Sequence, residues 1–214
     1  MMSRVDPTPA RHVRKLPTER RAEILDEAAR IALTEGLERV TLRGVAEQLG
    51  VRPGLIGHYF PAVQDLVIAA FELAIEGERE AMFAGDGSPL DRIAHLVHRI
   101  ESRRADDLAR LWLNARHLSR FSTPLLASIE EQEALDRARL TELIARGVAE
   151  GEFATPDVEA SCIRIFMAID AFGCYVNDRG PFSGEAFSRF VGDVTVWTLS
   201  LDRSAFEAAM ARQA

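Results

Sequence analysis

The sequence predicts an all-α fold, and three observations predict it. Alanine, leucine, arginine and glutamate, all strong helix formers, dominate the 214 residues. β-branched residues form no alternating runs; apolar residues recur instead at three- and four-residue spacing between Gly and Pro breaks. Hydrophobic residues make up 47% of the chain, enough for one large core or for a small and a medium one.

The elements follow in order. Residues 1–17 hold Pro7, Pro9 and Pro17 among several arginines and are expected to form a disordered basic arm. Thr18 reads as the N-cap of a first helix, Arg20–Glu35, with Ile24, Ala28 and Ile31/Ala32 on one face and Gly36 as its stop. A second helix opens at Thr41 and a third near Pro53. Ala62–Ala84 is expected as a longer helix with a stripe of Leu66, Ala69/Ala70, Leu73 and Ala81, halted by Gly85-Asp86-Gly87. Beyond that break the spacing predicts helices over Ser88–Arg104, Asp106 to about Ser119, Pro124–Glu150, Pro156 to about Asn177, and Ser183 to about Leu201. The last either continues or restarts toward Arg212, giving nine or ten helices. The expected division is 1–17, 18–78 and 79–214, the boundary falling along the long fourth helix.

The formal net charge of −7 argues against a protein that coats nucleic acid indiscriminately. Its distribution is uneven. Residues 1–60 carry ten Lys/Arg against eight Asp/Glu, or +2, which leaves −9 for residues 61–214. The first 21 residues hold six basic against two acidic side chains. A basic front on an acidic body offers one face to phosphate and repels it elsewhere.

Cys162 and Cys174 both fall in an apolar run that reads as helix. Twelve residues of helix rise separate them by ~18 Å, beyond disulfide reach, so both are expected as small core residues in a reducing compartment. Residues 1–20 lack the apolar stretch of a signal peptide, and no window of about 20 residues is apolar enough to span a membrane. A cytoplasmic location is expected.

The most informative stretch is Thr41–Phe60. Leu42, Val45, Ala46 and Leu49 form one apolar stripe on a short helix capped by Thr41. Gly50 stands where a tight turn needs a left-handed residue, and Pro53 suits a first helical position. Ile56, Tyr59 and Phe60 make the inward face of the following helix. Its other face is left to Arg52, Gly54, Leu55, Gly57 and His58. A short helix with glycines on its outer face can enter a major groove and bring backbone close to phosphates and base edges. The spacing alone fits an ordinary helix pair ending in glycine equally well.

Residues 18–66 resemble the DNA-binding domain of the TetR (tetracycline-repressor) family. The likeness rests on Glu35-Gly36, Thr41-Leu-Arg43, Val45-Ala46, Leu49-Gly50-Val51, Gly54, and Tyr59-Phe60 followed by Leu66. Gly54, Ile56, His58, Tyr59 and Phe60 are most similar to the choline/betaine-responsive repressor subgroup. The resemblance implies an N-terminal three-helix helix-turn-helix domain over 18–78 and a larger effector-binding and dimerisation domain over 79–214. It implies DNA contacts from Thr41, Arg43, Arg52, Pro53, Gly54, Leu55, Gly57 and His58, a phosphate bond from Tyr59, and further phosphate contacts from Arg20 and Arg21. Two positions depart from the family pattern. Arg52 replaces the usual Ser/Thr cap, at a typical cost of about 1 kcal/mol, and Val63 stands where a phosphate-binding lysine is usual.

The C-terminal half supports self-association on its own terms. Cys162–Val176 and Phe187–Leu201 are apolar on nearly all sides and need cover beyond one neighbour, so a homodimer through helices at about 157–177 and 183–201 is expected. Two recognition helices would then read an inverted-repeat DNA operator. Asp170 interrupts the apolar run and needs a partner, on a neighbouring helix, across the dimer or on a ligand. By the resemblance, Trp112, Asn114, Arg116, His117 and Phe121 lie on the helix and turn nearest the family's ligand pocket; the aromatic rings of Trp112, Phe121, Phe166 and Tyr175 around Asp170 suit a cation. His95 and His98 share a helix face without a third ligand, and neither metal nor cofactor is expected. No nucleophile–base pair or phosphate loop points to an enzyme. The reading is a transcriptional regulator, a repressor released from its operator by an unidentified small-molecule effector. An activator of the same family, or a helical binding protein with a decayed DNA-reading motif, is the alternative.

Overall fold

The computed structural model describes residues 16–177 and 184–213. Among them the chain forms eleven α-helices and no strand, as the composition predicts. The first four, α1 (Pro17–Thr34), α2 (Leu42–Gln48), α3 (Pro53–Tyr59) and α4 (Val63–Met82), enclose a 3₁₀ turn at Leu37–Arg39. Then come α5 (Pro89–Glu101), α6 (Asp106–Ser119), α7 (Thr123–Ala149), α8 (Val158–Gly173), α9 (Glu185–Ser188), α10 (Phe190–Leu199) and α11 (Arg203–Ala211). The expected arm lies outside the described residues up to residue 15.

Local chemistry sets most boundaries. Ser88, Ser122, Asp157 and Asp202 each cap a helix by accepting a backbone N–H three residues on, at 3.3, 3.2, 2.9 and 2.8 Å. Several expected ends move accordingly. Pro17, not Thr18, opens α1, where its missing N–H costs nothing, and the Glu19 carboxylate accepts from the Leu16 N–H at 2.9 Å. Ser122 starts α7 just ahead of Pro124, and Asp157 rather than Pro156 starts α8. The helix expected over Ser88–Arg104 stops at Glu101, because Arg103 turns left-handed at φ +66°. The span expected from Ser183 to Leu201 is broken at Arg189 into α9 and α10, Ser183 itself lying outside the described residues; the chain restarts as α11 after Ser200 turns left-handed.

Two cores hold these helices. The first gathers Ile24, Ala28, Ile31, Leu37, Val45, Ile56, Leu66 and Phe71 from the N-terminal helices, with Leu111 and Ala115 of α6 and Leu125 and Ile129 of α7. The second gathers Ile93, Leu96 and Val97 of α5 with Leu140, Ile144, Cys162, Ile165, Val191 and Phe206. They meet along α4, whose Ile75 belongs to the first and Met82 to the second. The α4 stripe is rotated from the expected one: Ala69, Leu73 and Ala81 are half-buried, while Phe71, Ala74 and Ile75 go inside. An aromatic at position 71 fills more volume than the alanine two residues earlier, so packing rather than periodicity fixes the face. The cysteines also part company. Cys162 is buried, with its thiol against the Arg137 carbonyl at 3.6 Å, but Cys174 is exposed in the turn that ends α8.

The α7–α8 junction shows how tightly the second core is filled. A Cβ on Gly147 would stand 2.1 Å from the buried Phe153 ring, whose own N–H donates to the Gly147 carbonyl at 3.1 Å. Gly147→Ala should therefore destabilise the protein by about 1–3 kcal/mol through overpacking, and a Gly147→Ala/Phe153→Leu double variant should recover part of the loss in chemical denaturation. Equal stability of Gly147→Ala and the wild type would contradict this packing.

Candidate nucleic-acid interface and ligand cavity

The stretch Thr41–Phe60 folds as two short helices joined by a tight turn. Thr41 Oγ1 accepts from the Gly44 N–H at 2.9 Å and fixes the start of α2. Val45 and Ala46 are fully buried, and the small Ala46 side chain sits where its carbonyl receives the Val51 N–H at 2.9 Å. Gly50 makes the reversal at φ +64°, a value that disfavours any side chain with a Cβ. Ile56 and Phe60 then anchor α3 in the first core, with the Arg21 guanidinium 4.8 Å above the Phe60 ring. Arg21 thus braces the reader from α1 as well as lying near it.

The outer surface of α3 is bare. Arg52, Pro53, Gly54 and His58 are exposed, and Leu55, Gly57 and Tyr59 are half-buried. A Cβ on Gly54 would meet nothing within 4 Å, and one on Gly57 only Leu42 Cδ1 at 3.7 Å. Neither glycine is required by the protein's own packing. Arg52 holds the N-cap position without a side-chain capping bond, as the missing hydroxyl predicts. Arg20 and Arg43 rest on Glu23 at 2.6 Å and Glu47 at 2.7 Å. The Arg43–Glu47 pair is well exposed, adds little to stability and is readily exchanged for another anion. Val63 is an exposed first residue of α4.

A cavity of about 570 Å³ lies in the other half, between α4, α5, α6, α7 and α8. Its walls are mainly apolar, Met82, Leu96, Ile100, Leu108, Phe166 and Phe172 among them. Of the eight residues expected near a ligand, Trp112, Arg116, Phe166 and Asp170 line it. Asn114, His117, Phe121 and Tyr175 do not. Phe121 is 79% exposed in the turn after α6, its ring 6.2 Å from that of His117, and Tyr175 packs edge-on against Phe187 at 5.8 Å. Asp170 finds its partner on a neighbouring helix: Arg116 donates to it at 2.9 Å and to Glu133 at 3.1 Å, and stacks its guanidinium 5.4 Å from the Trp112 ring. Helical spacing does put Trp112 and Arg116 on one face.

The sequence reading missed the deeper polar residues. Arg79 is only 8% exposed; it pairs with Asp136 and donates to Gln132 Oε1 at 2.7 Å. Burial pushes the Asp136 carboxyl above its ordinary range, although Arg79 opposes the shift. The signal was present: Arg79 stands four residues after Ile75 and three before Met82, a charge in the buried register of α4. His95 bonds within the body, its ring nitrogens 3.0 Å from the Ala81 carbonyl and 3.2 Å from Gln213 Oε1.

Comparison with known proteins gives the same family likeness. Residues 24–70 match the model for bacterial regulatory proteins of the tetR family. The HTH-type transcriptional repressor KstR2 of Mycolicibacterium smegmatis is 25% identical over 178 residues, covering 79% of this chain and 85% of that protein. The chain thus carries a segment similar to the DNA-binding domain of the tetR family. The matched family is one of bacterial regulatory proteins, and KstR2 is a transcriptional repressor. The likeness in fold extends beyond that segment. A transcriptional regulator from Saccharomonospora viridis in complex with choline matches with a TM-score of 0.66 at 18% identity, over 82% of this chain and 95% of that one. FadR of Bacillus subtilis in complex with stearoyl-CoA matches at 0.62 and 22% identity, over 84% and 97%. No single described helix is long and apolar enough to cross a membrane; by length and composition a bent pair, α3 with α4, passes that test, but most of its apolar residues belong to the first core.

Arg52 gives the interface a direct test. Arg52→Ser should restore the cap and raise stability by about 1 kcal/mol, yet weaken specific DNA binding roughly tenfold and relax base preference at one position, read by fluorescence anisotropy across a set of single-base variants. Unchanged affinity and preference would remove Arg52 from the interface.

Proposed function

We propose that this protein is a homodimeric repressor of the TetR family that reads an inverted-repeat operator with two copies of α3 and is released when a small molecule fills the cavity. The observation that carries the ligand response is the sharing of α6. Leu111 and Ala115 of that helix are fully buried in the first core, beside the DNA reader, while Trp112, Leu113 and Arg116 line the cavity. A molecule pressing on one face of α6 works directly against the packing of α1 and α4 on the other, which gives the two sites a physical coupling. The names of the relative and neighbours support the same reading: one is a repressor, and two hold small molecules.

The exposed apolar residues support the dimer. Trp197 of α10 is 77% exposed, with Phe190 on the same face, and Met167 and Ile163 of α8 are 57% and 49% exposed. A monomer in water has no use for such a face on two adjacent helices, whereas a four-helix contact with a second copy buries it. The division at the α4 boundary fits this assignment, with residues 18–78 as reader and 79–214 as effector and dimerisation domain. DNA contacts are assigned to Arg20, Arg21, Thr41, Arg43, Arg52–Leu55 and Gly57–Tyr59, and the likeness of α3 to the choline/betaine-responsive subgroup bears on this surface.

Selection of bound sequences from random DNA with the purified protein should yield an inverted repeat with half-sites about one helical turn apart. Recovery of no preferred sequence would end the regulator reading. Trp197→Glu should sediment as a monomer with unchanged helical content and lose at least a hundredfold in operator affinity as the second half-site contact is lost. A dimeric Trp197→Glu would move the interface elsewhere.

A further inference from the structure

The charged wall of the cavity narrows the ligand it can take. Eight charged side chains line it, Arg79, Arg103, Arg116 and Arg137 against Asp106, Glu133, Asp136 and Asp170, so four positive charges face four negative ones. All are paired inside the protein. Arg79 is held by Asp136, Arg103 by Asp106 at 2.9 Å, Arg116 by Asp170 and Glu133, and Arg137 lies 3.8 Å from Glu133. A buried ionic head of either sign would therefore enter an already neutral, largely apolar space with no counter-charge of its own, which is heavily unfavourable. The aromatic face that would attract a cation is also taken: the Arg116 guanidinium covers Trp112, and Phe71 meets the ring edge-on at 5.4 Å.

The arginines are fixed but not exhausted. Arg79 bonds through Nε and Nη2, the latter to the Gln132 side chain and its carbonyl. Arg103 bonds through Nε to Asp106 and through Nη2 to the Val176 carbonyl at 3.3 Å. Arg116 bonds through Nε and Nη2 to Glu133, and through Nη2 to Asp170. In each, the Nη1 group makes no hydrogen bond to any described residue. Three neutralised guanidinium groups on the wall of one apolar cavity thus keep spare N–H donors, and a guanidinium can donate but never accept.

Taking the cavity as the effector site, we propose that its ligand is uncharged where it is buried: an extended apolar body carrying carbonyl, ester, thioester or hydroxyl oxygens that accept from the spare Nη1 donors of Arg116, Arg103 or Arg79. Any ionic group on such a molecule stays outside the cavity mouth. Oxygen acceptors satisfy the donors without upsetting the charge balance, and the apolar walls supply the rest of the affinity.

One hydrocarbon body with three different heads tests this. Methyl decyl ketone, dodecanoate and dodecyltrimethylammonium are titrated, each below its micelle-forming concentration, into the full chain, with binding followed by calorimetry and thermal shift. The ketone should bind at least tenfold more tightly than either ion and raise Tm, and Arg116→Lys, which keeps the charge but removes the guanidinium fork, should weaken it about tenfold. Should Arg116→Lys fail to fold, the head-group comparison on the wild type decides alone. Either ion binding as tightly as the ketone overturns the proposal, and so does binding by none of the three. If the protein still selects an operator in that case, the regulator reading survives and only the ligand class falls; if the ketone binds but no operator is selected, the reverse holds.

Discussion

The double packing of α6 is the constraint on which the rest of this structure depends. A fourteen-residue helix with one apolar stripe would serve one core. This one serves two purposes within a single turn, since Leu111 and Ala115 go fully inside the first core while Trp112 and Arg116, the next residues along, face the cavity. Trp112 spans both, in a T-shaped pair with the buried Phe71 ring and lying under the Arg116 guanidinium. Neither side can be repacked without the other. Close-packed interiors respond to such pressure by switching between discrete arrangements rather than by deforming smoothly, which makes a shared helix an effective link between two sites.

The reader achieves access to DNA by giving up local stability. Gly54 and Gly57 leave the outer surface of α3 without Cβ atoms, and Gly57 in the helix interior costs up to about 1 kcal/mol relative to alanine. Arg52 adds the loss of a cap. A seven-residue helix carrying these penalties does not persist alone, so Ile56, Phe60 and the Arg21 stack must hold it from below. Rigidity therefore comes from the inward face, which leaves the outward one free for the proposed recognition. The charge distribution runs the same way: with +2 on residues 1–60 and −9 on the remainder, the N-terminal part of the chain is the better match for phosphate.

Periodicity, caps and glycine chemistry made the stretch Thr41–Phe60 legible almost residue by residue. Thr41, Gly50 and Pro53 occupy the positions their intrinsic preferences dictate, because each acts through its own backbone. Interactions set by distant partners were less readable. Asp170 was recognisable as a carboxylate in need of a partner, but the identity of Arg116 and Glu133 depends on how α6 and α7 cross α8. Phe121 and Tyr175 were grouped with Asp170 by side-chain type, yet both follow the end of their helices, where direction no longer obeys a helical repeat. Arg79 was overlooked for the opposite reason, its charge masking a buried register that Ile75 and Met82 define around it. The starts of α7 and α8 slipped where Pro124 and Pro156 competed with nearby Ser122 and Asp157, and the hydroxyl or carboxylate placed the start both times.

Helix α8 adds a second link of the same kind. Ile163 and Met167 lie on its exposed side, yet both also border the cavity. In the proposed dimer, a protomer seated on that face also closes one flank of its neighbour's cavity. Filling the cavity then bears on the contact between protomers as well as on α6, and both routes end at the same quantity, the separation of the two α3 helices. Because an inverted repeat fixes that separation through the pitch of the duplex, small displacements are enough to break simultaneous contact. In the proposed dimer the two walls, tied together by the Arg116–Asp170 pair, act on one distance, so a ligand site need not lie near DNA to control its release.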